Sequence, residues 1–245
     1  MPPRINKSEN WIEYWNEDDF WYSSKLWKVN VEMFRHRAEK ITGFGKNDAI
    51  LNVGCGPGYL EALLAPRVKS ILAVDTSEHY IEMCRENCRM HPNVSADILN
   101  KNNYTDLTIF NQSFSLILCV SVVQYYKSMD EVESLIRSAK KIAKPGARML
   151  IADLPLKRGL PGFMWDAFGS LMMSIKEGYL PSLLYAAYAK YFRKAKYGSF
   201  SNESNVLSFT IRDVKSLIER MGLNAAIIRH SLSIYANRPS ILIDL

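Results

Sequence analysis

Three glycines at alternating positions, Gly54, Gly56 and Gly58, end the stretch Ile50 to Gly58, Ile-Leu-Asn-Val-Gly-Cys-Gly-Pro-Gly, and lead into the helix-like run Tyr59 to Ala65. A strand-to-helix turn without side chains lets a ligand approach the main chain, because glycine accepts positive φ and the first turn of a helix leaves N–H groups unpaired. The plain alternative is a structural turn. A dinucleotide fingerprint, G-x-G-x-x-G, would need its third glycine at residue 59, where this chain has Tyr59, so a pyrophosphate cradle is not implied. Asp75 follows a second apolar run, Ser70 to Val74, about 20 residues beyond the first glycine. A carboxylate there can accept hydrogen bonds from both hydroxyls of a ribose more strongly than a neutral side chain could. Asp97 closes a third run, Val94 to Asp97; alone, it reads equally as a turn former or helix cap.

The elements that must hold these residues are legible from patterning. Strands are expected over Ala49 to Val53, Ser70 to Val74, Val94 to Asp97, Phe114 to Val120 and Arg148 to Ala152. Helical runs lie between them, which is the alternation of a parallel α/β sheet. Ser77 caps one helix, and Ser128 with Glu131 reads as a capping box for another, whose face is Met129, Val132, Leu135, Ile136 and Ala139. Lys144-Pro145-Gly146 is expected to end that helix. Thr210 caps the last helix and Gly222 stops it. Two strands, Ala225 to Ser231 and Pro239 to Ile243, are expected to form a hairpin across Ala236, Asn237 and Arg238.

With 245 residues, 48% of them hydrophobic, the chain has material for one α/β domain, residues 1–245. The net charge of +6 and pI near 9.0 allow an anionic partner without pointing to nucleic acid, for which no recognition motif is present. No run reaches the roughly 18 to 20 apolar residues of a membrane span, and the N-terminus lacks a signal-peptide core, so a cytoplasmic location is expected. The four cysteines, Cys55, Cys84, Cys88 and Cys119, have no metal-ligand spacing and read as free thiols. None of His36, His79, His91 or His230 is placed by a motif.

The glycine turn, Asp75, Asp97, the fourth strand with the following Ser121 to Tyr126, and the terminal strand pair stand in an order that resembles the class I S-adenosylmethionine (SAM) methyltransferases. The resemblance spans residues 50–153. It implies a Rossmann-like seven-stranded sheet flanked by helices with an antiparallel last strand, SAM as cofactor and S-adenosylhomocysteine as product. By this resemblance the cofactor meets Gly54, Cys55, Gly56, Gly58, Asp75 and Thr76, then Asp97 and Ile98 at the adenine and the backbone at Cys119 at the methionine end. Gln124, Tyr125 and Tyr126 would face the substrate. The catalytic residue and the acceptor atom stay open, because no base-accepting histidine or Asn-Pro-Pro motif occurs in that region. Asn52 departs from the pattern: many relatives carry an acid there that orients the cofactor's amino group.

Two segments lie outside the minimal pattern. Residues 1–45, dense in aromatics, read as helices packed on the domain edge or as a lid, from which Tyr14 or Tyr22 would reach the cofactor. Residues 156–207 read as a helical insertion: a structural subdomain, a cap over a small-molecule substrate, or a peripheral membrane contact with Lys190, Arg193, Lys194 and Lys196 at its basic end. Replacing residues 156–200 by a short glycine linker is accordingly expected to leave SAM binding nearly intact and to abolish methyl transfer. Retained turnover would assign the insert a structural or membrane role.

Overall fold

Residues 49–53, 70–75 and 114–120 are near-continuous apolar runs buried on both faces, which is what a parallel sheet requires. The computed structural model describes residues 25–157, 160–184 and 207–245. In chain order these give α1 (Lys25–Thr42), β1 (Ala49–Val53), α2 (Tyr59–Leu64), β2 (Ser70–Asp75), α3 (Glu78–Asn87), β3 (Val94–Ile98) and β4 (Phe114–Val120). They continue with α4 (Met129–Ile142), β5 (Ala143–Ala152), α5 (Leu160–Lys176), α6 (Ile211–Arg220), β6 (Asn224–Ile228) and β7 (Ser240–Asp244). The seven strands form one sheet in the order β3-β2-β1-β4-β5-β7-β6. Leu116 and Leu118 of β4 face one apolar layer with Phe34 and Ala38 of α1. Ile117 and Cys119 face the other with Leu135 and Ile136 of α4. No helix among the described residues is long and apolar enough to cross a membrane.

Four details differ from the sequence expectation. The helix α4 ends at Ile142, and Lys144, Pro145 and Gly146 already belong to β5, where the register against β4 shifts between Phe114 and Leu116. Ser128 and Glu131 do not form a capping box. Ser128 Oγ accepts from Asp130 N (3.2 Å), while Glu131 Oε2 accepts from Lys127 N (2.8 Å) and from the Tyr104 hydroxyl (2.6 Å). The box is instead at α6, where Thr210 Oγ1 accepts from Asp213 N (3.1 Å) and Asp213 Oδ2 accepts from Thr210 N (2.7 Å). Finally, β6 and β7 do pair as an antiparallel hairpin, but β6 stops at Ile228, so residues 229–239 close it as a long loop, and β7 also pairs antiparallel with β5.

That loop binds elements distant in sequence. Arg37 of α1 donates to Ser231 O (2.9 Å) and Ser233 O (3.3 Å), and Asn30 Oδ1 accepts from Ile234 N (3.0 Å). From α5, Ser170 Oγ accepts from Ala236 N (3.1 Å) and Asp166 accepts from Asn237 Nδ2 (2.6 Å). A Cβ at Gly169 would stand 3.1 Å from Ala236 Cβ, so the helix approaches the loop closely.

The glycine turn is also a packing device. A Cβ on Gly54 would lie 2.2 Å from Val122 Cγ2, and one on Gly58 would lie 2.6 Å from Cys84 Sγ and 2.8 Å from Cys84 Cα; both glycines have φ near +80° (76 and 80). Gly54→Ala is expected to destabilise the protein by about 2 to 4 kcal/mol through overpacking and left-handed strain. In denaturant unfolding, adding Val122→Ala should recover part of that loss. Full wild-type stability in Gly54→Ala alone would show that the turn relaxes at no cost.

Candidate functional site

The turn is pinned to the end of β2 by main-chain donors: Gly54 N and Cys55 N both donate to Val74 O (2.7 and 3.0 Å). Asp75 completes the attachment, its Oδ2 accepting from Gly56 N (2.9 Å) and its Oδ1 from Ser77 N (3.0 Å). Burial pushes the Asp75 carboxyl above its ordinary range, while the N–H groups of Ser77, Gly56 and Thr76 pull it back. A carboxylate has about four acceptor directions, so these main-chain donors do not exhaust it.

Beyond β2, Thr76 and Ile98 share a cleft of about 580 Å³ with Glu78, His79, Glu82, Leu99, Asn100 and Lys101. Asp97 is exposed, and its Oδ1 accepts from its neighbour Ile98 N (2.8 Å). The donor assigned by resemblance to an adenine ring nitrogen is thus held by the Asp97 side chain. Cys55 donates to Gly56 O (3.3 Å) and burial pushes its thiol up to about 12, so it stays a neutral thiol. Cys119 is buried in the core, with Val53 opposite it in the neighbouring strand, which places the end of β4 beside the glycine turn.

Of the residues expected on the substrate side, Gln124 is partly buried, donating to Ser121 O (3.1 Å) and accepting from Arg238 Nη1 (3.3 Å). Tyr125 is half-buried. Tyr126 corrects the expectation: its ring is buried in the core, 5.1 Å from the Tyr104 ring, because residues 123–125 form a short 3-10 turn that directs it inward. Tyr14 and Tyr22 lie outside the described residues, as do residues 1–24 of the expected lid and 185–206 of the insertion.

Sequence reasoning assigned no role to two features of the site. At the ends of β4 and β5, Ser121 and Asp153 both adopt left-handed backbone conformations (φ 58 and 64), and Ser121 Oγ donates to Asp153 Oδ2 (2.7 Å). Burial raises the Asp153 carboxyl, and the Arg238 charge and the hydroxyls of Ser233 and Ser121 lower it. Arg238 also stands over the Tyr235 ring, 4.5 Å from its centroid. The strand-end rule used for Asp75 could have singled out Asp153. The second feature is Glu61 of α2, wholly buried beneath the turn and bonded at 2.5 Å to Asn52 Nδ2. Burial pushes its carboxyl up to about 7, against the bond from Asn52. A glutamate among Tyr59, Leu60, Ala62, Leu63 and Leu64 was the available signal.

Two acids, Asp75 and Glu61, lie at the turn, and the neighbouring cleft holds Glu78, Glu82 and Lys101. Such a site suits a ligand with positive charge and opposes a pyrophosphate.

A family profile for a methyltransferase domain matches residues 50–146. The chain is 34% identical over 142 residues to the chondramide synthase cmdD of Chondromyces crocatus, covering 56% of this chain and 3% of that protein. It is 23% identical over 120 residues to the demethylmenaquinone methyltransferase of Tropheryma whipplei strain Twist, covering 49% of this chain and 47% of that one. It therefore spans less than half the length of either relative. A magnesium protoporphyrin IX methyltransferase from Synechocystis PCC 6803, solved with bound SAM, shares the fold along the whole of both chains (100% of each), with a TM-score of 0.59 at 12% identity. Residues 50–146 thus match a methyltransferase domain, and they carry the central part of the sheet described above.

Proposed function

We propose that the chain binds SAM along the ends of β1, β2 and β3 and transfers its methyl group to a small-molecule acceptor with a hydrophobic or aromatic portion. The observation that carries this is Asp75, which fixes the Gly56 amide and the Ser77 amide with one carboxylate and keeps acceptor directions free beside the cleft. The negative surroundings fit the cofactor's sulfonium and ammonium charges. When bound, the cofactor supplies an electrophilic methyl on positive sulfur, so the protein contributes chiefly proximity and orientation.

In this reading Asp75 holds the ribose hydroxyls, the glycine turn meets the methionine part, and Thr76 and Ile98 border the adenine. The ends of β4 and β5 meet the acceptor. There Ser121, Asp153, Gln124 and Arg238 offer polar contacts, and α5 supplies apolar ones. The two methyltransferases named above are, by their names, enzymes for demethylmenaquinone and magnesium protoporphyrin IX. A cytoplasmic location goes with this reading.

One observation favours a second reading, in which the enzyme works at a lipid surface. Helix α5 exposes Met164, Trp165, Phe168, Met172 and Ile175, a continuous apolar face. Sedimentation with anionic vesicles tests it: Trp165→Glu should release a protein bound in this way.

For the main reading, titration calorimetry should detect SAM and S-adenosylhomocysteine binding, and Asp75→Ala should weaken both by about 2 to 4 kcal/mol, from roughly 1.5 to 3 per charge-assisted bond without full additivity. Labelled SAM offered with hydroxyl, amine and carbon acceptors should give a labelled product. Unchanged affinity in folded Asp75→Ala would remove Asp75 from the site.

A further inference from the structure

Beneath the glycine turn, β1 and α2 press two polar side chains together in an otherwise apolar layer. Asn52 is 2% exposed and Glu61 0%. One bond joins them, Asn52 Nδ2 to Glu61 Oε1, and it leaves Asn52 Oδ1 and Glu61 Oε2 buried with no partner. Two unsatisfied buried acceptors are costly. Both are acceptors, and no donor among the described residues reaches either one.

The groups around Glu61 make the deficit plain. Asp75 of β2 and Cys55 of the turn interact with it, and so do Cys84 and Cys88 of α3. None of these carries a positive charge. On α1, Arg35 donates to Glu39 at 2.9 Å, and Arg67, just after α2, also pairs with Glu39. Burial holds the Glu61 carboxyl near neutrality, about 7, where a nearby charge decides its state.

We propose that the Glu61–Asn52 pair is a charge selector under the cofactor site: ionised Glu61 favours the positively charged sulfonium of SAM over the neutral thioether of S-adenosylhomocysteine. This rests on the cofactor reading above. The carboxylate is buried and acts through the turn without touching the ligand, so Glu61 is a positioning and selectivity residue. Transfer of the methyl group removes the positive charge from sulfur, and with it the attraction, which favours exchange of product for fresh cofactor.

The sign follows from the carboxyl. Below about 7 it is protonated and neutral, and above that pH it is ionised. Preference for SAM over S-adenosylhomocysteine therefore rises with pH through neutrality. In the ligand-free protein the same raised carboxyl favours the folded state at low pH, and that contribution is lost as pH rises through about 7.

Titration calorimetry with SAM and with S-adenosylhomocysteine, well below and well above pH 7, tests the proposal. In the wild type the ratio of the two dissociation constants should shift toward SAM by about tenfold with rising pH, the order of effect of one partly screened charge. The ligands' own amino groups titrate identically with every variant, so Glu61→Gln gives the baseline, and it should stay near the low-pH ratio. The double variant Asn52→Asp with Glu61→Gln moves the carboxylate across the same hydrogen bond and should restore the shift. A pH response in Glu61→Gln equal to wild type, or a double variant that behaves like Glu61→Gln, would overturn the selector. So would a Glu61→Gln protein that loses stability through neutral pH as the wild type does. Absence of binding by both ligands in the wild type would instead overturn the cofactor reading itself.

Discussion

One carbonyl and one carboxylate at the end of β2 organise the site. Val74 O receives two amides of the glycine turn and Asp75 receives a third, so the turn is held to the sheet by its own main chain. That attachment works only because Gly54 and Gly58 leave room for Val122 and Cys84 to press against the turn from β4's extension and from α3. The turn is therefore rigid by packing and by bonding together. Its glycines serve internal fit, which a reading of the turn for ligand access alone leaves out.

The second organising element is the loop 229–239. It is hydrogen-bonded to α1 through Arg37 and Asn30, to α5 through Ser170 and Asp166, and to the residue after β4 through Arg238 and Gln124. Leu154 N donates to Pro239 O (3.0 Å), so the exit of β5 is tied to it as well. An N-terminal helix and an insertion that have no mutual sequence signal are thus joined above the ends of β4 and β5. Backbone groups of a loop need partners when buried, and the flanking helices supply them.

Charge is unevenly distributed. The chain as a whole is basic, yet the two acids Asp75 and Glu61 lie at the turn. A global surplus of lysine and arginine is a statement about solvent-facing surface, whereas a site is decided by the few groups that share its low-dielectric surroundings. Composition alone therefore pointed toward anionic partners, and the local field points to a cationic one.

Sequence by itself determined the strand set, the glycine turn, the acids at the ends of β2 and β3, and the inward face of α4, because each depends on local spacing: period two, period 3.6, or a fixed interval from turn to strand end. Tertiary structure decided the rest. Tyr126 looked like its neighbour Tyr125 in the chain, but a 3-10 turn sent it into the core against Tyr104. The hairpin of β6 and β7 formed as expected, but β6 ended at Ile228, so residues 229–239 became a long connecting loop bonded to α1 and α5. Ser121 with Asp153, and Asn52 with Glu61, became pairs only when neighbouring strands or a strand and a helix brought them together. Hydrogen bonds between residues 9 and 32 positions apart leave no periodic trace in a sequence, and the burial that raises a carboxyl toward neutrality exists only once the layers have closed over it.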